Sequence, residues 1–323
     1  MPDPSPPLPG EPLVGASRPA AAQPGPIPGP PGAVVVMPRG ARTGMVLRRF
    51  SRHRLAVASL VLLLVLVLLA LVGGRLWHLR YDDITDDLSQ APSWSHPMGT
   101  DGLGHDTFAQ VLRGAQKSVQ IALVVALAST AFGTLVGSLA GFYRGWVDAL
   151  LMRTTDLLLV IPALAIFGLL AHKVSTADES WFLLALVIAA VSWTTIARVV
   201  RGVFLSLRER EFVEAARALG AGDGRLIFRH LLPNAVGPII VNATVTVAVA
   251  ILVETSLSYL GLGIRPPDTS LGLLVSEGQQ AASTRPWLFY FPGLFIVLIT
   301  LSVNFVGDGL RDAFDPVRRR GRG

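Results

Sequence analysis

Glu211-Phe212-Val213-Glu214-Ala215-Ala216-Arg217-Ala218-Leu219-Gly220, running on to Leu232-Pro233, is the one long polar interruption in an otherwise apolar second half of the chain. It lies between two apolar segments of membrane length and has the pattern of a helix, a turn and a second helix. Phe212, Ala215, Ala216 and Leu219 are three and four residues apart and are expected to share one face. Arg210, Glu214 and Arg217 make an opposite-charge row on another. Gly220 follows the last apolar residue, where a left-handed helix stop is expected. Asp223 is placed to cap a second short helix, with Ile227 and Leu231 on one side and Arg225 and Arg229 on the other. Pro233 is expected to end that helix. A short amphipathic helix rigidly joined to a span on each side suits docking of a soluble partner.

The surrounding composition is that of an integral membrane protein. Of 323 residues, 51% are apolar and only 15% charged, where a soluble domain would carry about 25% charged residues. Cysteine is absent, which removes disulfides, thiolate metal sites and a cysteine nucleophile, and leaves the redox compartment open. The net charge of +6 would suggest nucleic acid in a soluble protein. Here it fits the basic cytoplasmic loops of a membrane protein better.

In chain order, residues 1–44 are rich in Pro, Gly and Ala, hold more than half of the 23 prolines, and are expected to be a disordered tail. Arg48 to Arg54 is a basic cluster before Leu55–Val72, an uncharged run. Its eighteen residues would span about 27 Å as a helix against about 30 Å of hydrocarbon. The run is longer than a signal peptide's apolar core and lacks a small-residue cleavage site, so it is expected to be retained. Residues 73–117 are polar, with Asp82, Asp83, Asp86 and Asp87 and the Gly-rich loop His96–Asp106. Thr107 with Gln110 reads as a capping box for a short surface helix with Phe108, Val111, Leu112 and Ala115 on one face. Further spans are expected over Ser118–Phe142, Asp148–Leu170, Trp181–Ala197, Ile239–Leu260 and Trp287–Gly307. In the first of these, Gly133, Gly137 and Gly141 form a stripe suited to close helix approach. Asp148–Leu170 contains Pro162, with Arg153 and Asp156 three apart and placed to pair with each other. The competing reading makes Arg153 and Asp156 a polar wall of a translocation path. Glu254 lies near the far end of the fifth span.

With a cytoplasmic amino terminus, 21 of the 28 Lys and Arg residues fall inside and seven outside. The basic-inside bias therefore sets both termini and the 211–233 loop in the cytoplasm.

Motifs for chemistry are missing. Only Lys117 and Lys173 are present and neither follows a P-loop. There is no zinc-protease or nucleophile-elbow pattern, and the six histidines lie outside the spans. His96, Asp101, His105 and Asp106 offer ligand types for nickel or zinc. Their spacing matches no chelating pattern, and turn capping in a Gly-rich loop is the simpler role. No cofactor, catalytic residue or metal ligand is expected.

Glu214, Ala215, Ala216, Gly220, Leu232 and Pro233 stand at the spacing of the cytoplasmic-loop signature of ABC importer permease subunits, with His230 where the general pattern has Ile. Further matches are His96-Pro-Met-Gly-Thr-Asp101 with Gly104 and Asp106, Asp148 through Arg153 to Asp156 and Pro162, Glu254 through Gly263 with Pro266-Pro267, and Asn304 through Asp312. Over roughly residues 45–320 the chain resembles the C-type permease of the dipeptide, oligopeptide and nickel branch, in which His at position 230 is common. His105 stands where that branch usually has Arg, and the Pro-rich tail is outside its pattern.

The resemblance implies an all-α type I importer domain: six transmembrane helices with a cytoplasmic coupling helix, in the cell membrane. With the composition, this gives an expected disordered Pro/Gly-rich tail over 1–44, a first span and external loop over 45–110, a permease core over 111–312 with its coupling loop at about 203–235, and a basic tail over 313–323. The resemblance also implies a second permease subunit, two cytoplasmic ATPase subunits that supply the hydrolysis this chain lacks, and an external solute-binding protein. The implied substrates are dipeptides, oligopeptides, nickel or related solutes. The implied roles are anchoring of the loop or pairing across it for Glu214, close packing for Ala215 and Ala216, and the turn for Gly220. A channel or secondary transporter would need ionisable groups at membrane depth, for which only Arg153, Asp156 and Glu254 are candidates. A scaffold protein would not need a defined turn at Gly220.

Overall fold

The computed structural model describes residues 39–163, 165–167, 169 and 180–314. The proline-rich segment up to residue 38, the polar turn at 172–179 and the terminal arginines beyond 314 lie outside the described residues.

Among the described residues the fold is helical, with one isolated bridge between Thr100 and Asp106. A short helix α1 (Arg39–Phe50) precedes α2 (Arg54–Leu76), which passes through a π turn at Leu69–Gly73. Then come α3 (Thr107–Tyr143), α4 (Gly145–Val160), α5 (Ser180–Arg208), α6 (Glu211–Ala218), α7 (Asp223–Tyr259), α8 (Leu271–Gly278) and α9 (Trp287–Phe314). Five of these helices, α2, α3, α5, α7 and α9, are long and apolar enough to cross a membrane.

The span expected over Asp148–Leu170 is not one continuous helix. α4 stops at Val160 because Ile161 precedes Pro162 and is extended, at φ −78° and ψ 128°. A residue before proline is pushed out of the helical region in this way. Helical turns resume beyond it, with Ala165 N donating to Pro162 O at 2.9 Å. The expected Arg153–Asp156 pair does not form either. Asp156 instead receives Arg198 of α5 at 2.6 Å, since a facing helix offers a guanidinium that three residues along the same helix cannot aim as well.

The separate surface helix before the second span is also absent, for Thr107–Tyr143 is a single helix of 37 residues. Its cap is Asp106, whose carboxylate accepts from Ala109 N at 2.7 Å. Thr107 is already helical, and its hydroxyl has no partner among the described residues. The cap thus sits one residue earlier than the Thr107/Gln110 pattern suggests. Val111, Leu112 and Ala115 are fully buried, as expected of that face.

The glycine stripe is used within the chain. A Cβ at Gly133 would lie 2.7 Å from Trp193 O, and one at Gly141 2.7 Å from Phe204 Cβ. Contacts advance in the same direction along both helices, so α3 and α5 run parallel with their backbones in close approach. The main core lies between them and the other spans, with Ile121, Val125, Ile188, Ile251, Leu257 and Ile299 buried together.

The ends of the bundle differ. At one end Phe50 and Ala56 close over Gly309 of α9, Phe314 lies over Gly237 of α7, and α6 sits between α5 and α7. At the other end Arg285 reaches Ser89 at 2.7 Å and Trp287 Nε1 reaches Thr100 O at 3.2 Å. Both ends of the described chain therefore lie on the side that carries α6.

Candidate functional site: the loop at α6

α6 hangs from an α5 whose lower end is clamped. Arg201 donates twice to Asp148 of α4, at 2.5 and 2.6 Å. Arg144 meets Glu209 at 2.5 Å, and Arg208 donates to the Phe142 carbonyl. These contacts join the ends of α3, α4 and α5 just before the chain turns into α6.

α6 begins after Arg210 in extended conformation with no side-chain cap. Its buried face is Val213 and Ala216, at 0% and 9% exposure, backed by Phe204, Leu226, Ile227 and Leu231. The face expected from spacing is thus rotated. Phe212 is half-buried, but Ala215 is exposed and Leu219 is 88% exposed. Val213, passed over as one apolar residue between Phe212 and Glu214, is the anchor. Val213 and Ala216, three residues apart, share one face of this short α-helix, and that face lies on the bundle.

Gly220 ends the helix as expected. Its φ is +79°, and the donors close in a Schellman pattern, Ala221 N to Ala216 O and Gly220 N to Arg217 O, each at 3.0 Å. A Cβ there would meet nothing within 4 Å, so glycine is required by the backbone and not by space.

α7 then starts at Asp223 with Gly222 as N-cap and no side-chain cap, so Asp223 does not cap it. Ile227 and Leu231 are buried and Arg225 and Arg229 exposed, as expected. Pro233 does not end the helix. It stands in the first turn after a π turn at Leu226–Leu231, and the helix runs on to Tyr259. A proline at the start of a helical segment removes a donor that the π turn has already displaced. Leu232 packs against the same buried cluster as Val213 and Ala216.

Glu214, Ala215, Ala216 and Gly220 therefore stand together on α6 and its stop, and Leu232 is joined to Val213 and Ala216 through the shared core, with Pro233 next to it in sequence. Among the described residues, Glu214 makes no ion pair with Arg210 or Arg217 and is exposed. Sequence reading missed Phe228, which is 69% exposed on the π turn of α7. Its signal was an aromatic set between Arg225 and Arg229 on the polar face.

The His96–Asp106 loop at the opposite end divides into two pairs. His96 is buried, with Nδ1 at 2.8 Å from Asp106 and Nε2 at 3.2 Å from Asp87. His105 Nδ1 is 2.8 Å from Asp101, which also accepts from Leu103 N and His105 N. Carboxylates occupy both nitrogens of His96, and no three acidic or histidine side chains among the described residues converge on a metal position. Burial works against the charged form of His96, but hydrogen bonds to Asp106 and Asp87 outweigh it and raise its pKa above 6.5. Nearby, Asp268 takes Arg113 at 2.8 Å and Lys117 at 2.8 Å, tying the α7–α8 loop to α3. Glu254 is wholly buried and accepts from Ser118 at 2.9 Å and Ser258 at 2.7 Å.

Residues 133–320 match the family described as binding-protein-dependent transport system inner membrane component, and residues 42–92 match the N-terminal TM domain of oligopeptide transport permease C. The oligopeptide transport system permease protein OppC of Mycobacterium tuberculosis (strain ATCC 25618 / H37Rv) is 44% identical over 280 residues, 86% of this chain and 96% of that protein. A putative peptide permease protein of Brucella suis biovar 1 is 43% identical, covering 85% of this chain and 92% of its own. OppC of Bacillus subtilis (strain 168) is 38% identical, covering 84% and 88%. A solved structure titled as inward facing conformations of the MetNI methionine ABC transporter shares the fold, with a TM-score of 0.53 at 18% identity over 64% of this chain and 96% of that one. From these matches, the chain belongs to the inner membrane components of binding-protein-dependent transport systems, the permease subunits of ABC importers.

Proposed function

We propose that the chain forms half of a translocation path for dipeptides, oligopeptides or related small solutes such as nickel, and that α6 transmits force to it from a cytoplasmic ATPase. The peptide reading rests on relatives named as oligopeptide and peptide permeases. A second permease subunit would complete the path, two ATPase subunits would drive it, and an external solute-binding protein would deliver substrate. In this reading the end of the bundle carrying α6 and both described chain ends faces the cytoplasm, with residues 45–110 as an amino-terminal unit and 111–312 as the core.

One observation carries the coupling role. α6 is fixed to the bundle by Val213 and Ala216, while Ala215 and Leu219 on its outer side, and Phe228 on the π turn of α7, remain uncovered. A helix fixed on one face and open on the other moves its attached spans when it is pushed. Closure of the ATPase dimer would shift α6 with the ends of α5 and α7 and open the path outward. Hydrolysis and separation would reopen it inward, as rigid-body alternating access. Ala215 and Ala216 keep both faces of α6 shallow, Gly220 sets the turn, and Leu232-Pro233 stiffen the entry to α7. Glu214, which makes no ion pair among the described residues, would take a cation from the partner.

A Leu219→Cys variant in the assembled complex tests the reading, since the chain has no cysteine of its own. A bifunctional thiol reagent should join it to the ATPase subunit, with a yield that changes between nucleotide-free and ATP-trapped states. Crosslinks that reach only the external binding protein would overturn it.

A further inference from the structure

We propose that α1 and its turn into α2 bind the anionic phospholipid headgroups of the leaflet in which α2 begins. Only Ser51, Arg52 and His53 separate α1 from α2, and the apolar run of α2 opens at Leu55. Three extended residues reach about 10 Å, so the carboxy-terminal end of α1 stays in the headgroup zone. Its placement there is fixed by packing. Phe50 is buried with Ala56, Val306 and Ala313, and Val46 packs against that group. A Cβ on Gly309 of α9 would stand 3.0 Å from Phe50 Cε2.

The opposite surface is open and cationic. Residues 39–54 hold six arginines and no Asp or Glu. Arg48, Arg52 and Arg54 are exposed, and their side chains make no ion pair among the described residues. Arg144, Arg198 and Arg201 at the same end are each closed on a carboxylate. Between these cations Leu47 is 68% exposed, and apolar exposure continues past the turn at Leu55, 63% exposed, into the outer face of α2. Guanidinium groups bordering an apolar strip fit a phosphodiester headgroup with its acyl chain. A soluble acidic partner would match the charge and leave the strip unused, which favours lipid.

The test uses the full-length chain carrying Leu47→Cys, reconstituted with and without phosphatidylglycerol in phosphatidylcholine vesicles opened to a water-soluble maleimide. Labelling should be on the order of tenfold slower with phosphatidylglycerol, and high salt or Arg48→Gln with Arg52→Gln should restore it. Phosphatidylglycerol that co-purifies with the wild-type chain should fall in the double variant when counted by mass spectrometry. An unchanged labelling rate between the two vesicle types would overturn the proposal. So would equal protection in lipid-free detergent, which would mean that protein covers Leu47.

Discussion

Arg201 of α5 holds Asp148 of α4 through two hydrogen bonds of 2.5 and 2.6 Å, across 53 residues of sequence. The pair is partly buried, at 34% and 18% side-chain exposure, and it sits where α5 runs down to α6. A planar guanidinium on both carboxylate oxygens fixes angle as well as distance. It makes the end of α5 a stiff member instead of a frayed terminus, as a lever requires.

Breaking that pair should loosen the lever before it unfolds the bundle. Asp148→Ala is expected to cost about 1–3 kcal/mol and to lower solute uptake more than it lowers the amount of assembled complex. Arg201→Lys keeps the charge, loses the fork, and should fall between the two. Thermal melting of the purified complex and uptake into proteoliposomes measure the two effects separately. Loss of uptake strictly proportional to loss of complex would mean that the pair serves stability alone.

At Gly220 the positive φ carries the cost, since nothing crowds the position. Gly220→Ala should cost about 1 kcal/mol and leave most transport intact. Gly220→Pro cannot adopt φ +79° and removes the donor to Arg217 O, so it should uncouple ATP hydrolysis from uptake with the complex still assembled. Glu214→Lys should do the same by reversing an exposed charge that has no ion-pair partner among the described residues. Basal and solute-stimulated ATPase rates in proteoliposomes distinguish uncoupling from misassembly.

The sequence yielded five of the six expected spans, the loop signature and the stop at Gly220, because each depends on local signals: hydropathy over a window, residue spacing and one obligatory φ. It misjudged what depends on neighbours. The pairing of Asp156 is decided by Arg198, 42 residues away on another helix. The face of α6 is decided by which side lands on Phe204 and Leu226, and an eight-residue helix with apolar residues at 212, 213, 215, 216 and 218, and Leu219 as its C-cap, fits more than one face. The proline at 233 reads as a terminator unless the π turn before it is known, and no sequence pattern announces that turn.

The end of the bundle opposite α6 should be stable over a bounded pH window. Burial disfavours the charge of Asp268, but Arg113 and Lys117 more than reverse this and lower its pKa below 3.8. Its contribution is complete above 3.8 and is lost as pH falls through the lowered value. The raised pKa of His96 acts in the opposite sense: its contribution is complete below 6.5 and is lost as pH rises through the raised value. Melting temperature against pH should therefore show an acid limb abolished by Asp268→Asn and an alkaline limb abolished by His96→Gln. An alkaline limb that survives His96→Gln would assign it to another group.

The glycine stripe supplies a comparison within one protein. A Cβ at Gly141 would stand 2.7 Å from Phe204 Cβ and 2.8 Å from Arg201 O, so one of the two helices must move. Gly202, on α5 one residue past Arg201, has nothing within 4 Å of the same added atom. Mid-helix alanine is favoured over glycine by about 1 kcal/mol, so Gly202→Ala should be neutral or stabilising. Gly141→Ala gains the same propensity but meets backbone and a side-chain stem that cannot swing away, and overpacking of this kind costs about 1–3 kcal/mol. Gly141→Val should cost more and should shift Arg201 away from Asp148, because Arg201 lies on the surface that Gly141 touches. Transport should then fall as in Asp148→Ala, and combining the two changes should cost less than the sum of each alone. Full additivity in a double-mutant cycle would separate the stripe from the clamp and make close packing of α3 and α5 irrelevant to the lever.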